Sequence, residues 1–278
     1  MSTETSLRRP RPYWHVDAKW ITGLLLLFVL SITLVVYQFY RISAREPATE
    51  IISQALSAGL SFLGGFTPDD PVLLEQLQQR LAVNPGQPVE VIPGLAITLS
   101  PEQLTGLTPR AALRLITDQL AAPIYAHGAQ GLADLTQDAE MRQSILAGGD
   151  LFDLLTADTH ASLEQPLKIL AGVSGALLLG LILFSRGFGR IGSPGCVLFV
   201  VGLPGLALWA VWRGMTERTP VLPDRVAGAF DLTGYILANA LPSALRTMTQ
   251  NYLLVIVIGL GLLTLAFLGT LIRRVARR

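Results

Sequence analysis

The sequence predicts an α-helical integral membrane protein: a four-helix transmembrane bundle with a mostly α-helical extracytoplasmic domain between spans 1 and 2. Three observations predict it. The chain of 278 residues is 51% hydrophobic and only 15% charged, against roughly 25% charged in a typical soluble domain. Its charges are confined to clusters, and the uncharged stretches between them approach the roughly 20 residues that a helix needs to cross a hydrocarbon layer. Finally, the net charge of +1 conceals an asymmetry: residues 41–166 carry fifteen Asp and Glu against six Arg, a net charge of −9.

Residues 1–19 form a basic tail, and residues 20–40 the first span, which is uncharged and rich in Leu, Val, Ile and Phe. A secretory signal peptide has a shorter apolar core and a small-residue cleavage site. This stretch instead ends in Tyr37, Phe39 and Tyr40, so it is read as an uncleaved anchor. Span 2 covers 167–185, with Pro166 expected at its start, where a missing N–H is harmless. A short loop, 186–194, leads to span 3 at 195–212. Gly202, Pro204 and Gly205 predict a kink in that span. Residues 213–251 form a second loop, 252–272 the fourth span, and 273–278 a basic tail. Each span is expected to be a helix because lipid offers no partner for a free backbone amide.

Orientation follows from basic residues near the span ends. Ten of them lie in the N-terminal tail, the 186–193 loop and the C-terminal tail, which four crossings place on one side. That side is read as cytoplasmic. Trp20 then marks an inner boundary, and Tyr40, Trp209, Trp212 and Tyr252 mark outer ones. The single cysteine, Cys196, excludes an internal disulfide. A cysteine-free external domain must be held by packing alone, which fits a bacterial plasma membrane better than a eukaryotic secretory route.

Within 41–166, the stretch from Ile51 to Phe66 is apolar but contains Gly and Ser. It is expected either to pack on the membrane surface or to continue the first span outward. Asp69, Asp70 and Pro71 open a helix whose Val72, Leu73, Leu77 and Leu81 recur at helical spacing, closed by Asn84, Pro85 and Gly86. Residues 88–99 read as two short strands broken at Pro93-Gly94, or as an extended linker. Ser100-Pro101 starts a short turn. Thr108-Pro109 starts the strongest helix, to about Ala126, with Leu113, Ile116, Leu120 and Ile124 on its apolar face and Pro123 expected to kink or shorten it. One or two further helices cover 137–164. In the second loop, Asp224 to Leu241 reads as an amphipathic helix that Pro242 breaks, lying at the lipid interface or over the acidic domain. Phe152-Asp153-Leu154 and Phe230-Asp231-Leu232 precede spans 2 and 4, a parallel that topology alone can produce.

No motif for catalysis rises from this pattern. Apart from Lys168 at the start of span 2, the spans hold no Asp, Glu, Lys, Arg or His, whereas ion-coupled transport generally places such groups at membrane depth. Gly172-Val173-Ser174-Gly175 resembles a rhomboid-type serine motif, yet His15, His127 and His160 all lie outside the spans and leave the serine without a base. Asp158, His160 and Glu164 are the one metal-ligating cluster, with a capped, solvated acidic helix start (cap Asp158 or Thr159) as the other reading. No cofactor motif is present. Nucleic-acid binding has no support, since the basic residues follow topology.

The most specific signal in the spans is a row of small residues: Ala171, Gly172, Gly175, Ala176 and Gly180. Small-xxx-small spacing lets another helix approach closely. The partner is another span of this chain, a second copy in a homo-oligomer, or a different protein. The layout resembles four-span proteins such as claudins and tetraspanins in topology alone, because their cysteine motifs are absent. The expected function is therefore that of a non-enzymatic multi-pass membrane protein, an accessory, assembly or scaffold subunit whose partners are the bilayer and other membrane or envelope proteins. A transporter or channel component with a kinked third span is the alternative.

Overall fold

The computed structural model describes residues 14–64, 69, 71–83, 89–91, 95–216 and 229–276. In chain order the elements are α1 (Trp14–Ile42), α2 (Arg45–Gly64), α3 (Val72–Val83), β1 (Val89–Glu90), β2 (Thr98–Leu99), α4 (Pro101–Leu104), α5 (Pro109–His127), α6 (Ala129–Ala133), α7 (Ala139–Gly148), α8 (Asp150–Asp153), α9 (Ala157–Phe184), α10 (Gly189–Gly202), α11 (Pro204–Thr216) and α12 (Ala229–Val275). Among the described residues, four segments are long and apolar enough to cross a membrane: Val16–Ile42, Ala157–Phe184, Gly189–Gly214 and Asn239–Val275. The chain has the make-up of a multi-pass α-helical membrane protein. Its residues fall into two compact units. The first takes the chain up to Val35, then Leu167–Leu206, and from Asn251 onward; the second takes Val36–Pro166 and Ala207–Gln250.

In the first unit, α1 and α9 meet around Leu26 and Leu181, which are almost fully buried. Thr33 Oγ1 and Ser174 Oγ are 3.0 Å apart across that contact. Other hydroxyls of the apolar helices return to their own backbone, as polar groups in apolar surroundings do: Ser31 of α1 donates to Leu27 O, and in α12 Thr264 donates to Leu260 O and Thr270 to Phe267 O. The seam between α10 and α12 is built from glycines. A Cβ at Gly259 would stand 2.6 Å from Phe199 N, and one at Gly195 would stand 3.0 Å from Leu262 Cβ. The two backbones come this close only because neither residue carries a side chain.

The second unit is organised around α5. Leu113, Ile116, Leu120 and Ile124 are all buried, as their spacing predicts. Ile116 and Leu120 join Leu77 of α3 and Val91, Leu95, Ile97 and Leu99 of the strand region in one cluster. Ile124 and Ala121 meet Ile52 of α2 in another. β1 and β2 pair antiparallel, Val89 with Leu99 and Glu90 with Thr98. The strand reading, rather than the linker, thus describes this segment. Thr108 caps α5 and Ser100 caps α4 in a capping box with Gln103, each side-chain oxygen taking a backbone N–H that the helix leaves free.

Several sequence expectations are corrected. Residues 51–64 do not continue the first span: α2 is a separate helix, starting after a bend at Ser43-Ala44, with Ala48, Ile52 and Ala55 buried. Pro166 lies inside α9 rather than at its start, because Thr156 accepts the Thr159 N–H and begins the helix ten residues earlier. Pro242 does not break its helix: α12 runs 47 residues through it. Pro123 likewise lies within α5, which continues to His127. A proline removes one amide donor and crowds one turn, a local cost that packing on both flanks offsets. The short loop narrows to Ser185–Phe188, since α10 already starts at Gly189. Residues 224–228 of the expected amphipathic helix lie outside the described residues.

Candidate functional site

The hydroxyls of α2 fall in a row. Thr49, Ser53, Ser57 and Ser61 are spaced by four, which places them one above another along one side of a helix. The apolar face beside them, Ala48, Ile52 and Ala55, is buried and sets the rotation of the helix. The row therefore runs beside α5, and all four hydroxyl residues line a groove of about 820 Å³. The opposite wall comes from α5 through Arg110, Arg114, Thr117, Asp118 and Ala122, with Asn239 of α12 at one edge.

Hydrogen bonds organise the middle of the groove. Ser53 Oγ lies 2.7 Å from Thr117 Oγ1 and 2.9 Å from Asp118 Oδ1. Thr117 also donates to Arg114 O at 3.1 Å. Two hydroxyl protons thus serve a chain that ends on a carboxylate or a backbone carbonyl. Thr49 donates to Arg45 O at 2.8 Å, and Gln54 donates to Glu50 Oε1 at 3.2 Å. Arg114 faces Asp118 at 3.7 Å, and Arg110 pairs with Asp69 at 2.7 Å. Both ion pairs are exposed, so they orient side chains more than they stabilise the fold. One group stands apart. Ser61 is only 1% exposed, lines the groove, and its Oγ has no hydrogen-bond partner among the described residues.

A smaller cavity of about 410 Å³ lies where α5 ends, bordered by His127, Asp134, Asp153 and Asp158. Its acidic groups are structural ties. Asp153 Oδ1 accepts the Ala129 N–H at 3.2 Å, and its backbone oxygen accepts the Thr159 hydroxyl at 2.7 Å. The turn above it needs Gly128, which has φ +62° and whose Cβ would collide with Asp153; that left-handed conformation is costly for any other residue.

The candidate metal ligands separate. His160 stacks on Tyr40 with ring centroids 4.2 Å apart. Its Nδ1 lies 3.0 Å from Tyr40 O and 3.2 Å from Ser43 Oγ. Asp158 borders the smaller cavity, and Glu164 is exposed. Among the described residues no group of three or more His, Cys, Asp or Glu could hold a metal ion. The helix start is capped by Thr156 rather than by Asp158 or Thr159.

The small-residue row of α9 is largely uncovered within this chain. Ala171, Gly172, Gly175 and Ala176 are exposed, and a Cβ on Gly172 or Gly175 would meet nothing within 4 Å. Only Gly180 touches another helix, with Thr22 Cγ2 3.4 Å from where its Cβ would stand. At the interrupted third span, α10 ends at Gly202 and α11 begins at Pro204. Leu203 N bonds to Val200 O at 3.2 Å and Leu206 N to Leu203 O at 3.0 Å, a tightened turn around the proline that has no donor. Gly202 and Gly205 lie against Ile256 and Tyr252 of α12, so the interruption is packed by a neighbouring helix.

The sequence reading passed over the α2 groove. Its signal was present in the four-residue hydroxyl spacing, but Ile51 to Phe66 reads first as apolar, and the facing wall is supplied by residues about sixty positions away. No protein-family model, no curated protein and no solved structure matches this chain.

Proposed function

We propose that this chain is a non-enzymatic accessory, assembly or scaffold subunit of a cell membrane. It is anchored by four spans with both termini in the cytoplasm, and its helical domain binds a partner outside. The observation that carries this reading is the α2–α5 groove: an open recess lined by polar side chains of two well-packed helices, with a buried hydroxyl that has no partner among the described residues. Buried polar groups in native proteins nearly always have partners, and the groove's volume falls within the range of about 300–1,000 Å³ of known ligand pockets, although its lining is more polar than theirs. The basic residues of the two tails and of the 186–193 loop support the orientation.

The test is gentle detergent extraction from native membranes, followed by sizing and identification of what stays bound. A defined heteromeric complex is expected. A clean monomer or homo-oligomer overturns the reading and shifts weight to transport. The interruption at Leu203 is the one observation favouring a transporter or channel component, and solute flux in vesicles containing the purified chain would support it. The packing of Gly202 and Gly205 against α12 favours a structural role for that interruption.

A further inference from the structure

We infer that the α2–α5 groove binds an extended polypeptide segment of about five residues, lying along α2 with its main-chain amides on the hydroxyl row. The inference rests on the partner-binding reading and names what the groove recognises.

Ser61 carries the argument furthest. Its hydroxyl is buried, lines the groove and lacks a partner among the described residues, so an occupant that supplies a donor or acceptor there completes it. The row it belongs to has a matching period. Residues four apart on a helix rise about 6 Å, while an extended chain presents amides to the same edge every two residues, about 6.7 Å. From Thr49 to Ser61 the row covers about 18 Å, the length of about five extended residues. A docked helix would not satisfy Ser61 in the same way, because its interior amides are bonded within the helix.

Charge narrows the class further. The walls carry Arg45, Arg110 and Arg114 against Glu46, Glu50 and Asp118. Arg110 and Arg114 already face carboxylates. The balance favours a neutral backbone over an anionic or cationic ligand. Ala58 and Ala122, both lining the groove, leave room for a main chain to approach.

The test uses the full-length protein in detergent. The probe is a pool of capped hexapeptides built from Gly, Ala, Ser, Thr, Val and Asn, each carrying a fluorophore and read by polarisation. Retained peptides are then remade with N-methyl groups on alternate amides of one edge, and compared with a lactam-locked helical peptide of similar composition. Saturable binding is expected, weakened at least tenfold by N-methylation and about fivefold by Ser61→Ala. Ser57→Trp, which fills the groove, should abolish it. No retained peptide, indifference to N-methylation, or equal binding of the locked helix overturns the inference. The two readings fail separately. A native complex that survives both Ser61→Ala and Ser57→Trp sinks the groove but leaves the partner, whereas the absence of any complex sinks the partner-binding reading itself.

Discussion

Two serines on one helix have opposite standing. Ser53 is bonded on two sides, to Thr117 and Asp118, whereas Ser61 is buried without a partner among the described residues. Removing a hydroxyl from a satisfied buried network strands its neighbours, at a cost of about 1–3 kcal/mol, while removing an unpaired one is close to neutral or stabilising. Ser53→Ala should therefore lower the unfolding midpoint of the detergent-solubilised protein, and Ser61→Ala should leave it unchanged or raise it. Equal losses in thermal unfolding would mean that Ser61 has a partner in the folded state. His160 teaches a related lesson. Its sequence neighbours Asp158 and Glu164 suggested a ligand set, but the ring is held by Tyr40 and Ser43, more than a hundred positions away. Which groups a side chain meets across the fold was not readable from its own helix.

At the scale of the element, glycines that look alike in sequence divide into two classes. Gly259 and Gly195 hold α12 and α10 together by backbone contact, while a Cβ on Gly172 or Gly175 would meet nothing within 4 Å among the described residues. Adding a methyl group to a well-packed contact costs about 1–3 kcal/mol, whereas Gly→Ala at an unobstructed helical site gains about 0.4–1 kcal/mol. Gly259→Ala is expected to lower the thermal midpoint and Gly172→Ala to leave it equal or higher. A Gly172→Ala loss as large as that at Gly259 would show that the α9 row is covered in the native membrane. Helix existence was legible from periodicity: α3 and α5 lie where Leu77 and the Leu113, Ile116, Leu120, Ile124 series predict. Helix ends were less so. Pro166 and Pro242 are ordinary stop signals, yet both sit inside helices, because a proline's local penalty competes with contacts that only the folded chain makes.

For the molecule as a whole, the proposed topology has each of the four apolar segments found among the described residues cross once, an even number that would put both termini on one side. The orientation is open to direct measurement. On a Cys196→Ser background, Gln54→Cys should react with a membrane-impermeant maleimide in intact cells, and Arg186→Cys only after permeabilisation. The reverse pattern would invert the topology and place the α2–α5 groove in the cytoplasm, where a different set of partners is available.

The amino-acid sequence by itself determined the spans, the acidic segment between them and the apolar faces of the main helices. Each of these depends on composition or on spacing within about a dozen residues, and hydrophobic burial acts on that local pattern directly. Tertiary structure alone decided which glycines became helix contacts, that His160 meets Tyr40 and Ser43, and that Ser53 of α2 bonds to Thr117 and Asp118 of α5. Those outcomes join residues tens to more than a hundred positions apart, and short-range order carries no information about contacts that form only when distant segments pack.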